Sequence, residues 1–204
     1  MQHSRIRTGF LIAGLLIALG GGSTVRAGGD DSSESGTVIP EPASYRMDQY
    51  RAATPTTLSG GTVLNTTGVQ ELLKLPGAIL IDVLPEQKRP DNLPANTLWI
   101  PKARFNIPGS TWLPDVGRGG LNESVEAYYK NNLERLTGSD RGRKIVVYCL
   151  AQCWMSWNAA KRAIEYGYTS VYWYPGGTDD WTAAGLPTEE SQAVPMDSAV
   201  STTN

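Results

Sequence analysis

The chain has 204 residues, with 18 lysines and arginines against 20 acidic residues, and its one histidine is His3. A formal charge of −2 provides no strongly basic surface, so we expect no nucleic-acid partner. Once the leader described next is removed, no histidine remains, which excludes a Ser-His-Asp triad, a Cys-His pair and histidine-ligated zinc, and two cysteines cannot form a Cys₄ site.

Residues 1–27 have the features of a secretory signal peptide. Arg5 and Arg7 precede the apolar run Phe10–Leu19, and Val25–Ala27 has the small-x-small form of a cleavage site. The apolar run is about half the length that a bilayer span needs, so a retained membrane anchor is the less favoured alternative. We therefore expect a periplasmic protein that is not held in the membrane after cleavage. It would keep 15 basic and 20 acidic residues, a formal charge of −5.

The mature chain divides by composition into four parts. Residues 28–42 are rich in Gly, Ser and acidic residues, which indicates a disordered tether. Residues 43–61 carry scattered apolar side chains among prolines and glycines, which suggests an irregular N-terminal arm. Residues 62–187 contain the periodic segments of a domain, and residues 188–204 form a polar tail.

Strands and helices alternate along the domain. Short β-branched or apolar runs predict strands at 62–64, 78–83, 110–113, 145–148 and 170–174, and amphipathic patterns with capping residues predict helices at 67–75, 122–138, 156–167 and 178–185. Five prolines between residues 85 and 108 indicate a long irregular excursion. The alternation predicts a single α/β domain with a central parallel sheet flanked by helices on both faces, and ligands at the carboxyl ends of the strands.

The segment between the strand 145–148 and the next helix contains both cysteines. Cys149 directly follows the strand, and Ser156 suits the N-cap of the helix. The unpaired N–H groups and dipole at a helix N-terminus favour a thiolate, which makes Cys149 a candidate nucleophile. Cys153 lies within disulfide reach of Cys149. The alternative is that both are small buried side chains or a structural disulfide.

Asp82 ends the second predicted strand, so its carboxylate is expected at the carboxyl end of the sheet. It is either a binding residue at the mouth of the site or a structural loop carboxylate that accepts backbone hydrogen bonds.

Four segments in this order resemble the rhodanese-like family: LIDV at 80–83, NIPGS at 106–110, IVVYC at 145–149 and VYWYPGGTDDWTAAGLP at 171–187. The resemblance implies a rhodanese-like domain in which Cys149 matches the persulfide-carrying cysteine. It also implies that the loop after Cys149 wraps the sulfur with backbone N–H groups.

The loop departs from the family pattern because it carries no basic residue. All residues from Leu150 to Trp157 are uncharged. Besides Cys153, which with Cys149 is a candidate catalytic residue, we take them as candidate binding residues: Leu150, Ala151, Gln152, Trp154, Met155, Ser156 and Trp157. Cys153-Trp154 also resembles the exported PQQ-dependent catabolism-associated CXXCW motif proteins, although three residues separate the cysteines here. That resemblance implies a context of periplasmic alcohol oxidation, with a quinoprotein dehydrogenase system as a partner.

Three functions remain open from the sequence. The first is a sulfurtransferase in which Cys149 carries a persulfide, and the second is a dithiol–disulfide protein in which Cys149, the more acidic thiol, attacks and Cys153 resolves. Both predict a thiol or sulfane-sulfur donor or acceptor as partner. The third is a non-catalytic binding module in which Trp154, Trp157, Met155 and Trp112 form an apolar platform for a periplasmic partner or a planar cofactor. A Cu(I) site on the two thiolates is a weaker variant, and we predict no resident cofactor or metal.

Overall fold

The computed structural model describes residues 38–196. The predicted signal peptide, residues 28–37 of the predicted tether and residues 197–204 lie outside the described part of the chain. In chain order the elements are β1 (Thr62–Val63), α1 (Thr66–Leu73), β2 (Ile79–Asp82), β3 (Arg104–Asn106), β4 (Ser110–Trp112), α2 (Glu123–Thr137), β5 (Ile145–Tyr148), α3 (Trp154–Glu165), β6 (Val171–Tyr174), α4 (Gly177–Ala183) and β7 (Glu189–Ser191). Within residues 38–196 no helix has the length and apolar character needed to cross a membrane.

A five-stranded parallel sheet in the order β1-β6-β5-β2-β4 forms the centre of the fold. Side chains of β5 alternate between its two faces, as the twofold repeat of a strand requires. Ile145 and Val147 pack with residues of α2 and α3, whereas Val146 and Tyr148 pack with residues of α1 and α4. All four are buried, because helices cover both faces of the sheet. The predicted fold class is confirmed.

A second, two-stranded sheet joins β3 and β7 in antiparallel register, with Phe105 opposite Glu190. The sequence predicted no strand in either segment: β3 falls in the proline-rich excursion and β7 in the polar tail. Each strand has only three residues, RFN and EES, so neither shows a readable period, and each depends on a partner far away in the chain. The irregular part of the excursion is therefore residues 85–103.

Helix α3 begins two residues before the predicted N-cap. Its N-cap position is occupied by Cys153, and the Trp154 N–H donates to the Tyr50 carbonyl of the arm at 2.9 Å. Ser156 lies inside the first turn, where its hydroxyl donates to the Cys153 carbonyl and accepts the indole N–H of Trp173. A backbone contact from a distant segment has replaced the local cap that the sequence suggested.

Two other helix starts also differ from the prediction. The N-cap of α1 is Asn65, whose side chain accepts the Gly68 N–H, so Thr67 lies within the helix. Helix α4 begins after Gly176, and Thr178 is inside its first turn. The Thr178 hydroxyl is thereby available to the side chain of Arg104, at 3.3 to 3.4 Å.

A buried ion pair ties β3 back to the main sheet. The Arg104 Nε donates to the Asp82 carboxylate at 2.6 Å, with the Asp82 side chain fully buried and that of Arg104 10% exposed. Asp82 also accepts the Leu84 N–H at 3.0 Å. Burial raises the pKa of Asp82, and the guanidinium opposes that rise. Asp82 thus has the structural role, which was one of its two predicted roles.

Removing this carboxylate should be costly. We expect Asp82→Ala to lower the free energy of unfolding by about 3–5 kcal/mol, because it leaves the Arg104 guanidinium buried without its partner. Glu71→Ala is the control: it breaks the exposed pair with Lys74 and should cost less than about 1 kcal/mol. Denaturant unfolding measures both, and equal losses would contradict a structural role for the buried pair.

Candidate functional site

Cys149 and Cys153 delimit the loop between β5 and α3, which we call the cysteine loop (Cys149–Cys153). The loop reverses through Gln152, whose φ of +51° lies in the left-handed region. This turn brings the two sulfur atoms to 2.6 Å from each other. Both are free thiols, and a small shift would reach the bond length of about 2.05 Å in a disulfide. The prediction that the pair lies within disulfide reach is confirmed.

Both thiols are shielded from solvent, Cys149 completely and Cys153 with 2% of its surface exposed. Helix α4 closes the loop from one side, where the Thr178 N–H donates to the Cys149 carbonyl at 3.1 Å. Gly177, with φ of +54°, permits this approach, because a Cβ there would lie 2.4 Å from the same carbonyl oxygen. The site is a packed interior pair, not an open cleft over a sulfur.

The two thiols differ in acidity. The pKa of Cys153 is lowered to about 6, first by the hydrogen bond from the Cys149 thiol. Backbone N–H groups of Met155, Leu150 and Ser156 also lower it, while burial opposes them. Two of these donors belong to the first turn of α3, where unpaired N–H groups and the helix dipole stabilise an anion.

Cys149 has the opposite shift. Burial raises its pKa well above the ordinary value, and the neighbouring Cys153 and the Asp82 carboxylate add to the rise. In the state with one shared proton, the two pKa shifts favour Cys149 as its carrier, and the proton lies between sulfur atoms 2.6 Å apart. The prediction that Cys149 is the more acidic thiol is wrong. It assumed that the helix starts at Ser156, whereas the start at Trp154 gives the N-terminal N–H groups to Cys153.

The N-terminal arm covers the start of α3. The indole N–H of Trp154 donates to the Ala53 carbonyl at 3.0 Å, and that of Trp157 to the Thr57 carbonyl at 3.2 Å. Arg51 forms an antiparallel β-bridge with Cys153 itself. The arm therefore lies over the cysteine loop and fixes both tryptophans.

The predicted apolar platform is wrong for the same reason. Trp154, Met155 and Trp157 are at most 3% exposed, and Trp112 is 8% exposed with its indole N–H on the Leu84 carbonyl at 2.7 Å. These side chains pack in the interior instead of facing a partner. The sequence could not distinguish the two environments, because the segment that covers Trp154 and Trp157 lies about 100 residues earlier.

The remaining loop residues have distinct surroundings. The Ala151 N–H donates to the Asp179 carboxylate at 3.1 Å, and Arg51 lies 3.9 Å from the same carboxylate. Gln152 is exposed, and Leu150 lines a cavity on the side away from the arm.

Sequence reasoning missed several residues that hold the site: Tyr50, Arg51, Arg104, Thr178 and Asp179. Thr178 and Asp179 directly follow the Gly176-Gly177 turn of the family pattern. That position was the only feature of the sequence that could have identified them as site residues. No group of three or more histidine, cysteine, aspartate or glutamate side chains in the described part of the chain is arranged to hold a metal ion.

Comparison with known proteins gives a family match. Residues 66–184 match the rhodanese-like domain family. No curated protein matches. Among solved structures, the polysulfide-sulfur transferase homodimer from Wolinella succinogenes is 22% identical, with 64% of this chain and 80% of that chain covered and a TM-score of 0.40. Thiosulfate sulfurtransferase from Pseudomonas aeruginosa is 21% identical, with 66% of this chain but only 21% of that chain covered and a TM-score of 0.44.

The acidity order can be measured on the reduced protein. We expect a thiolate absorbance in the ultraviolet that rises with a midpoint near the Cys153 pKa of about 6. Cys153→Ser should abolish that titration, and Cys149→Ala should move it upward, because alanine cannot donate the hydrogen bond that lowers the Cys153 pKa. The depressed pKa also adds stability, which is fully present above the ordinary value of about 8.5 and lost as the pH falls through about 6. A thiolate that persists below pH 8 in Cys153→Ser would contradict this order.

Proposed function

Because the chain belongs to the rhodanese-like domain family, we propose that its two cysteines act on sulfane sulfur or disulfides by cycling between a dithiol and a disulfide. The observation that carries this proposal is the separation of 2.6 Å between the two sulfur atoms. A persulfide on either cysteine would have the second thiol directly against it. That thiol would displace the outer sulfur before an external acceptor reached a site so well covered.

The reaction balances as a reduction of the donor. The thiolate attacks the outer sulfur of a persulfide R–S–SH, forms a protein persulfide and releases the thiol RSH after protonation. The second cysteine then attacks the protein-bound sulfur of that persulfide, releases the outer sulfur as hydrogen sulfide and closes the disulfide. The donor has been reduced by two electrons and the dithiol oxidised by two. An external dithiol reductant must restore the pair.

We assign the first attack to Cys153 and the resolving step to Cys149. Cys153 is the sulfur with the lowered pKa, and the helix N–H groups that stabilise its charge are present before any substrate arrives. Cys149 keeps its proton until the second step, when loss of the neighbouring negative charge makes its deprotonation easier. These roles are the reverse of those implied by the family resemblance, in which Cys149 carries the persulfide.

The cysteine loop has no basic residue, and this limits the charge of the donor that it can bind. Small dianionic donors such as thiosulfate need a cation at the attacking sulfur. The nearby cation from β3, Arg104, is bound to Asp82 instead. A donor with a single charge, or a disulfide, suits the site better.

We further propose that the protein works in the periplasm, in the context of PQQ-dependent alcohol oxidation. Its support is the signal-like N-terminus and the resemblance of Cys153-Trp154 to the CXXCW proteins. A quinoprotein dehydrogenase system is the proposed partner, and in an oxidising compartment the cysteine pair can persist as a disulfide until a reductant restores it.

Single-cysteine variants test the chemistry. With an organic persulfide, the reduced wild type should release sulfide and end with the mass of a disulfide. Cys149→Ser should retain one extra sulfur on Cys153 and release little sulfide, because the resolving thiol is gone. Cys153→Ser should react at least about tenfold more slowly at neutral pH, since the remaining thiol is mostly protonated.

Two results would count against this proposal. A wild type that accumulates a stable persulfide and passes it to an added thiol would favour the sulfurtransferase function. If the thiols of the wild type and of both single-cysteine variants do not react with the persulfide, the proposed sulfur chemistry is wrong.

The location is tested by the intact mass of the protein recovered from the periplasmic fraction of an expressing bacterium. We expect a chain that lacks residues 1–27. A full-length chain in the membrane fraction would contradict export by cleavage.

A further inference from the structure

The excursion encloses a cavity beside the cysteine loop. Its volume is about 480 Å³, and its walls come from the excursion, from Trp112 of β4, from Leu150 and from Glu190 of β7. This volume lies within the range of about 300–1,000 Å³ that is usual for small-molecule sites. Leu150 is covalently next to Cys149, so the cavity reaches the cysteine loop from the side that the arm does not cover.

The cavity carries side chains of both charges. Lys102 and Arg104 line it together with Glu86 and Glu190. Arg104 is already engaged by Asp82, whereas Lys102, Glu86 and Glu190 lie exposed at the rim and have no ion-pair partner within residues 38–196. Unpaired charges of opposite sign at one cavity are complementary to a ligand that carries both a carboxylate and an ammonium group.

The remainder of the wall is mixed: Gln87, Ser191 and Gln192 are polar, whereas Trp112 and Leu150 are apolar. The indole N–H of Trp112 is used by the Leu84 carbonyl, so its ring offers the cavity only apolar surface. Leu150 contributes a second apolar side chain next to the buried sulfur pair. A ligand with charged ends and a soft, weakly polar group near Leu150 matches this distribution.

We propose that the cavity binds a small zwitterionic thiol or persulfide, of the class of cysteine or a short cysteine-containing peptide. Its carboxylate pairs with Lys102, its ammonium group pairs with Glu86 or Glu190, and its sulfur lies against Leu150. The charge and size of the ligand follow from the cavity alone, whereas the presence of sulfur in it rests on the proposed function. Leu150 lies between the bound sulfur and the cysteine pair in this proposal, and its side chain must turn aside for exchange.

The binding test uses S-methylglutathione, a thioether that has an ammonium group and carboxylates but cannot exchange sulfur. Calorimetric titration of the full chain should show saturable binding. Lys102→Gln should raise the Kd about tenfold, because it removes a charge-assisted hydrogen bond. Lys88→Gln is the matched control: it removes the same charge from the same excursion but outside this cavity, and should leave the Kd unchanged.

Two further measurements test whether the probe binds in this cavity and whether its ammonium group contributes. Leu150→Trp narrows the end of the cavity beside the cysteine loop and should weaken binding, and N-acetylation of the probe removes its ammonium group and should weaken binding to the wild type. No binding to the wild type, or equal effects of the two lysine variants, would overturn the proposal.

The two proposals can fail separately. The probe does not react with thiols, so its binding can also be measured on Cys149→Ser/Cys153→Ser. If that variant binds the probe but the wild type releases no sulfide from persulfides, the cavity site stands and the proposed chemistry falls. If sulfide is released without any binding of the probe, the chemistry stands and this site falls.

Discussion

In a parallel sheet each central strand is connected to its crossover helix by a loop at the carboxyl edge of the sheet. Here the five residues Cys149–Cys153 form that loop between β5 and α3. The left-handed turn at Gln152 closes it so tightly that the two sulfur atoms come into contact. Two elements pack directly against this closed loop. Helix α4 approaches through Gly177, and the arm lies over Cys153. The loop thus has no room for a substrate-sized opening above the sulfur, and its chemistry is that of a pair.

The electrostatics of the pair depend on backbone groups, since the loop itself has no charged side chain. Helix N–H groups and the second thiol stabilise a thiolate at Cys153, while burial and Asp82 keep Cys149 protonated. Arg104, which could have supplied a cation from β3, instead pairs with Asp82 and holds the excursion against the sheet. The buried ion pair therefore fixes the position of β3 beside the site, and it does not remove the difference in pKa between the two thiols.

The arm and the excursion close the site from different directions. The arm covers the first turn of α3 through carbonyl groups at Tyr50, Ala53 and Thr57. The excursion leaves a cavity that ends at Leu150. On the excursion side the cysteine loop meets the cavity at Leu150, whereas on the arm side several hydrogen bonds cover it. This asymmetry suits a small donor better than a docking protein surface.

The sequence alone determined the alternation of strands and helices, the parallel sheet and the position of Cys149 at a strand end, because periodicity and turn residues act over a few neighbouring positions. It also placed Cys153 within reach of Cys149. It did not determine where α3 starts, that β3 pairs with β7, or which thiol is the more acidic. Those outcomes depend on contacts between distant segments: Tyr50 with Trp154, Phe105 with Glu190, and Asp82 with Arg104. Only the tertiary structure decides them. The pKa of a thiol, the stability of a helix cap and the pairing of a short strand all depend on the groups that the folded chain places beside them, and a local sequence pattern does not specify those groups.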